Sequence, residues 1–285
     1  MNRIIENTLI IIPAYNVATR LGILLKKLTS YKSKILFIDD GSTDETHEIL
    51  SRNCFLTLHY NENKGVSFAI NQGVKYAYDK GYDSVVIMDA DYQHDPQYIP
   101  CFMEKIVEND LVIGNRFSSK GIIPDVKRNS NTFGSCIIES IFNQFVQDVS
   151  CGFKAFKLQK DIIKYIEKST DYSIIFDLLI YSLIKKKRIA TVNMKAIYFP
   201  EELWFTRKKE IESFMKAIAQ FASKENHLIN NINKGLKQKN NFAITVKKIT
   251  FFLFFIEEYD GYIIQADKNA VENYHYRREN IHVNR

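Results

Sequence analysis

Short runs of consecutive apolar residues alternate along this chain with longer segments in which apolar residues recur every three or four positions. The runs TLIIIPAYN (8–16), SKILFIDDGS (33–42), FLTLHYNENKG (55–65), DSVVIMDAD (83–91) and DLVIGNRF (110–117) predict five buried strands. Between them, ATRLGILLKKLTSY (18–31) predicts an amphipathic helix with Leu21, Leu24, Leu25 and Leu28 on one face. STDETHEILSRN (42–53) predicts a second helix, capped by Ser42 or Thr43 and acidic in its first turn. GVSFAINQGVKYAYDKG (65–81) predicts a third, closed by Gly81, with Phe68, Ala69, Val74 and Ala77 suited to the sheet side. PQYIPCFMEKIVEN (96–109) predicts a fourth. Uniformly apolar strands in strict alternation with helices predict an α/β fold, a parallel sheet covered by helices on both faces.

From about Lys120 the pattern loosens. The segment 118–135 is polar, basic and glycine-containing, and predicts a mobile loop that could close over a site as a lid. A helix over 133–146, a turn leading into a strand over 148–157, a strongly apolar helix over 173–187 and a late strand over 189–199 follow. Beyond Glu225 the chain is rich in Asn and Lys and then aromatic, which predicts helical pieces. The expected organisation is one α/β domain over residues 1–224 and a mainly helical extension of unassigned role over 225–285.

Ligands of open α/β sheets bind beyond the carboxyl ends of the strands. The polar residues of this chain gather there: Pro13, Ala14, Tyr15 and Asn16, then Asp39 and Asp40, Asn63, Lys64 and Gly65, Asp89 and Asp91, and finally Gly114, Asn115 and Arg116. Asp89 and Asp91, one residue apart at the end of a hydrophobic strand, suit a divalent cation carrying a phosphorylated substrate, because hard cations take oxygen ligands. A plain polar turn fits the same residues. The chain has no Gly-x-Gly-x-x-Gly and no Gly-Lys-Ser/Thr, so neither the dinucleotide fingerprint nor the P-loop is present.

Composition narrows the picture. At 46% hydrophobic and 25% charged, the 285 residues can build a sizeable soluble core. The first residues lack a secretory-signal layout, and the apolar run at 249–256 is far short of the roughly 20 residues a spanning helix needs. No transmembrane segment is expected. Cys54, Cys101, Cys136 and Cys151 show no metal-ligand spacing and read as reduced thiols of a cytoplasmic protein. The net charge of +6 concentrates in the second half, which suits a phosphorylated substrate or peripheral contact with an anionic membrane surface. Nucleic acid is not an expected partner, since aromatic and basic residues do not interleave.

The stretches IIPAYN, FIDDGSTDET, NKGVSFAINQG, MDADYQHDP, GNRF and DVSCGFKAFK, in this order from about Leu9 to Lys157, resemble the family 2 inverting glycosyltransferases of the GT-A fold. Within that family they are most similar to the dolichyl- and polyprenyl-phosphate sugar synthases. The resemblance implies a Rossmann-like, mostly parallel sheet, a UDP- or GDP-linked hexose donor, and Mg2+ or Mn2+ on its diphosphate. It implies metal contact by Asp91, with Asp89 and Gln93 as further oxygen ligands, while His94 packs or caps. It assigns Pro13, Ala14, Tyr15, Asp39, Asp40, Lys64, Gly65, Asp89, Ala90 and Arg116 to the nucleotide sugar. Val17 stands where the family usually carries an acid. Arg128 and Arg207 are the candidates for an acceptor phosphate. Asp148 is the first candidate for a base or for positioning the acceptor, Arg116 for catalytic charge stabilisation, and Asp177 is either a second acid or a helix-face carboxylate.

The acceptor is the open question. Transfer to a hydroxyl needs a carboxylate to take the proton. A polyprenyl phosphate is already an anion and needs positive charge instead, and the motifs favour it slightly over a sugar hydroxyl in glycan or polysaccharide assembly. A non-catalytic nucleotide-binding domain is the reading from another class. The expected location is the cytoplasm, on the inner face of the cell membrane where the acceptor is a lipid.

Overall fold

The computed structural model describes residues 3–118, 123, 125–198, 213, 214 and 216–218. In chain order its elements are α1 (Arg3–Glu6), β1 (Thr8–Ala14), α2 (Ala18–Leu28), β2 (Ile35–Asp40), α3 (Thr46–Arg52), β3 (Thr57–Tyr60), α4 (Val66–Asp79), β4 (Ser84–Ile87), α5 (Ile99–Ile106), β5 (Leu111–Asn115), α6 (Asp125–Phe142), β6 (Lys154–Lys157), α7 (Lys160–Ile166), α8 (Ser173–Ile184) and β7 (Ile189–Asn193). All five strands read from the first half are present, and so is the late strand. They form one seven-stranded sheet in the order β3-β2-β1-β4-β6-β5-β7. Six strands run parallel to a neighbour, β3 through β4 and the pair β5 and β7, but β6 lies antiparallel between β4 and β5. The sheet is therefore mostly parallel, not wholly so. The chain leaves β5, passes through α6, and returns through β6 in the reverse direction.

Side chains alternate across a strand, so the register fixes which residues share a face. Gly73 of α4 sits against Ile11, close enough that an added Cβ would lie 2.5 Å from the Ile11 side chain. Ile11 pairs with Leu36 and Ala14 with Asp39. Leu36, Ile38 and Asp40 therefore face α4, while Ile35, Phe37 and Asp39 face the opposite layer, where Phe37 meets Phe55 edge-on at 5.4 Å. Leu21, Leu24, Leu25 and Leu28 of α2 are all buried, as the amphipathic pattern predicts.

Two predicted boundaries move. The second helix starts at Thr46 rather than at Ser42 or Thr43, because Asn16 holds that turn open: its side-chain oxygen accepts the N–H groups of Thr43 at 2.8 Å and Asp44 at 3.3 Å. Helix α6 starts at Asp125, inside the segment read as a loop. Its polar residues are not solvated. Asn131, Thr132 and Ser135 are buried, and the Asn131 side-chain oxygen accepts from the backbone N–H groups of Val149 at 3.0 Å and Ser150 at 3.3 Å. Polar side chains that bond another segment internally look the same in sequence as ones that face water. Residues 119–122 and 124 of the proposed lid, and the whole 225–285 extension, lie outside the described residues.

Candidate active site

The crevice at the strand ends is built by loops that latch onto one another. After β1, Asn16 adopts a left-handed backbone (φ 52°) and bonds the loop after β2. Val17 donates its N–H to Thr46 Oγ1 at 2.9 Å, and Ala18 donates to Asp44 Oδ2 at 3.1 Å. The ring of Tyr15 is left exposed beside partly buried Pro13 and buried Ala14, a flat wall open to a ligand. Val17, which replaces the expected acid, offers no carboxylate, and its side chain packs against the core.

Asp39 and Asp40 are both buried, and their side chains part to opposite faces. Asp40 accepts the N–H groups of Lys64 at 3.1 Å and Gly65 at 2.7 Å, which fixes the turn into α4. Gly65 is needed there, since its φ of +92° is a conformation that other residues rarely adopt. The Lys64 side chain is exposed and lies over the Phe68 ring at 5.1 Å. Asp39 accepts the Ser42 N–H at 3.1 Å through one oxygen and meets His59 Nδ1 at 2.8 Å through the other.

At the end of β4 the two acids are only half-buried. Asp91 accepts the Gln93 N–H at 2.9 Å, bending the chain so that Tyr92 takes a φ of 59°. Asp89 packs on Gly152, where an added Cβ would meet Asp89 Oδ2 at 2.4 Å. Glycine at 152 is thus the condition for Asp89 to lie where it does. Ala90 is buried between them. Gln93 is buried as well, with its oxygen accepting Lys127 Nζ from α6 at 3.1 Å and its nitrogen unpartnered. His94 is 2% exposed, stacked at a tilt on Phe153 with ring centres 5.5 Å apart. Burial pushes its pKa down to about 3, against the pull of Asp91, so it is neutral at physiological pH. Its Nδ1 lies 3.5 Å from Asp89 Oδ2 without a hydrogen bond. Packing, as the sequence suggested, is its position.

Arg116 and Asp148 are brought together. Arg116 Nε reaches Asp148 Oδ2 at 2.8 Å and its NH2 reaches Oδ1 at 2.8 Å, while its backbone N–H adds a third bond at 3.0 Å. A further bond joins the guanidinium to Ser150 Oγ at 2.9 Å. Burial alone would lower the Arg116 pKa, but the adjacent Asp148 charge and its hydrogen bonds outweigh it and hold the pKa well above the ordinary value. One charged residue of this cluster escaped the sequence reading. Lys154 is fully buried in β6, donates to the Cys151 carbonyl, and lies near Asp148 and Asp89. Burial lowers its pKa to about 8, with Cys151 and Asp148 opposing. Its signal in the sequence was a lone cation between Phe153 and Ala155-Phe156, where strand alternation offered no exposed side.

The other candidates stand apart. Asp177 is buried on α8, where one oxygen accepts the hydroxyls of Ser169 at 2.6 Å and Ser173 at 2.7 Å. Arg128 is half-buried on α6, next to the Lys127 that reaches Gln93. Arg207 lies outside the described residues.

Residues 9–167 match the profile described as glycosyl transferase family 2, more than half of the chain. The chain belongs to glycosyl transferase family 2. Among curated proteins, this glycosyltransferase is similar to the UDP-N-acetylglucosamine–dolichyl-phosphate N-acetylglucosaminyltransferase of Methanococcus voltae, 28% identical over 215 residues, 66% of this chain and 85% of that protein. It is similar also to the undecaprenyl-phosphate mannosyltransferase of Micrococcus luteus, 28% identical over 198 residues, 65% of this chain and 81% of that protein. Among solved structures it resembles glucosyl-3-phosphoglycerate synthase from Mycobacterium tuberculosis in complex with Mn2+ and UDP-glucose. The TM-score is 0.59 at 15% identity, over 76% of this chain and 78% of that one, which supports the GT-A fold.

Proposed function

We propose that this family 2 glycosyltransferase moves a hexose from a UDP- or GDP-linked sugar, with inversion, onto polyprenyl or dolichyl phosphate. The observation that carries the reading is the Arg116–Asp148 lock. Asp148, the acid first in line to act as base, has both oxygens committed to a buried guanidinium. An acceptor hydroxyl would need that carboxylate; a phosphate oxygen needs no proton removed. The acceptors in the names of the two curated relatives support the same choice.

Asp89 and Asp91 offer carboxylate oxygens at one strand end, a hard donor set that fits Mg2+ or Mn2+. Such an ion, when bound, supplies charge neutralisation to a departing nucleoside diphosphate. Gln93 would join it only by releasing Lys127. Gly152 leaves the space in which Asp89 lies, Tyr15 walls the nucleotide, and Asp40 fixes the turn before α4. Lys127, which reaches Gln93, and Arg128 beside it in the chain would hold the acceptor phosphate. An acceptor phosphate oxygen attacks the anomeric carbon from the face opposite the diphosphate. The bond from that carbon to the donor's phosphate oxygen breaks, and its electron pair leaves with the nucleoside diphosphate.

The test is transfer of labelled sugar from UDP- and GDP-sugars, with Mn2+ or Mg2+, to a short polyprenyl phosphate. Organic-extractable, mild-acid-labile label is the expected result. Label confined to water-soluble glycan would move the assignment to a sugar-hydroxyl acceptor, and no transfer from any donor would leave a nucleotide-binding domain without catalysis.

A further inference from the structure

A second cluster of ligating side chains lies on the other face of β2, away from Asp89 and Asp91. Asp39 and His59 are register partners on adjacent parallel strands, so their side chains leave the sheet together. His47 reaches the same carboxylate from the first turn of α3. Asp39 Oδ2 lies 2.8 Å from His59 Nδ1 and 3.3 Å from His47 Nδ1, and one ligand atom from each residue falls within 4.8 Å of the others. The imidazoles face each other with centres 4.1 Å apart. The His47 Nδ1 is buried and makes no hydrogen bond although it points at a carboxylate oxygen. That nitrogen is an unused lone pair or an unused proton, and either is a cost without a partner.

We infer that Asp39, His47 and His59 form a site for a zinc-class transition ion, with Nδ1 of both histidines and one Asp39 oxygen as ligands and water in the fourth position. Two ligands on one tetrahedral zinc, each about 2.0–2.2 Å from it, stand roughly 3.4 Å apart. The 3.3 Å spacing from Asp39 to His47 already has that value, and the 2.8 Å spacing to His59 must open by about half an ångström. Binding requires His59 to carry its proton on Nε2 rather than Nδ1, and its ring is solvent-accessible enough to exchange it. The donor set differs in kind from that of Asp89 and Asp91. Two imidazoles and one carboxylate select zinc, cobalt or nickel, whereas oxygens alone select magnesium or manganese. The outer strand β3 and helix α3 would be tied to β2 by the ion.

The test uses the full chain, freed of metal and titrated with Zn2+ alone in competition with a fluorescent chelator, and with Co2+ as a spectroscopic probe. One Zn2+ per chain is expected, with a tetrahedral cobalt spectrum and a rise in thermal midpoint on zinc addition. His47→Gln and His59→Gln should each weaken zinc by roughly 100-fold. The D89N/D91N variant should bind zinc unchanged. Unaltered zinc binding in the double histidine variant, its loss in D89N/D91N instead, or no zinc bound at micromolar concentrations would each overturn the inference. No nucleotide or transfer assay enters the readout, so the result stands apart from the proposed reaction.

Discussion

Asp39–Asp40 and Asp89–Asp91 look alike along the chain: each is a pair of acids closing an apolar strand. In the folded protein they differ in almost every respect. Asp39 and Asp40 are adjacent, so they leave the strand on opposite faces, both fully inside and both hydrogen-bonded to the protein. Asp89 and Asp91 are separated by a buried alanine, follow the last paired residue of β4, and remain half-open to the crevice. Adjacent acids are drawn inside on both faces of the strand, whereas acids two residues apart beyond its last paired residue keep part of their surface in the crevice.

The largest expected effect is on activity at the open pair. Asp91→Asn keeps an oxygen for the Gln93 N–H but weakens a metal contact, and should lower kcat/KM by about 1000-fold. The thermal midpoint should move by no more than a few degrees, as for an ordinary half-exposed substitution. A parallel loss of stability and activity would erase the contrast between the pairs. Next is the buried ion pair: Arg116→Met should cost about 3–5 kcal/mol in urea unfolding by stranding Asp148, and adding Asp148→Leu should return most of it without restoring transfer. Asp40→Ala, at the closed pair, should cost roughly 2 kcal/mol through the lost bonds to Lys64 and Gly65.

The smallest effect depends on pH. The folded His94 pKa is about 3, below its ordinary 6.5, so folding is favoured fully above pH 6.5 and loses that favour progressively as pH falls toward 3. At pH 5 the loss is about 2 kcal/mol. His94→Gln should flatten this part of the stability profile, measured by chemical unfolding from pH 7 to 5. An unchanged acid slope would mean that His94 takes up its proton without leaving the folded state.

Much of the fold could be read because burial of both sheet faces writes itself as uninterrupted apolar runs, as in LIII and VVIM. The helix start at Asp125 could not, because Asn131 and Ser135 satisfy buried backbone groups twelve to nineteen residues away in sequence. The reversed strand β6 was equally hidden, since its residues carry no mark of direction. Among site residues, the gathering at strand ends followed from topology, and His94 as a packing residue followed from the family resemblance. The Arg116–Asp148 lock, the buried Lys154 and the histidines on Asp39 come from distant segments and appear only once these are folded together.

By itself, then, the order of apolar and polar residues determined an α/β sheet, the edge at which chemistry gathers and the family whose motifs sit there, because these depend on local periodicity and on short stretches of chain. Only the tertiary structure decided which carboxylates are fully buried and which stay partly exposed. A carboxylate's job depends on the donors that reach it, and for Asp39, Asp40 and Asp148 these donors come from 3 to 32 residues away.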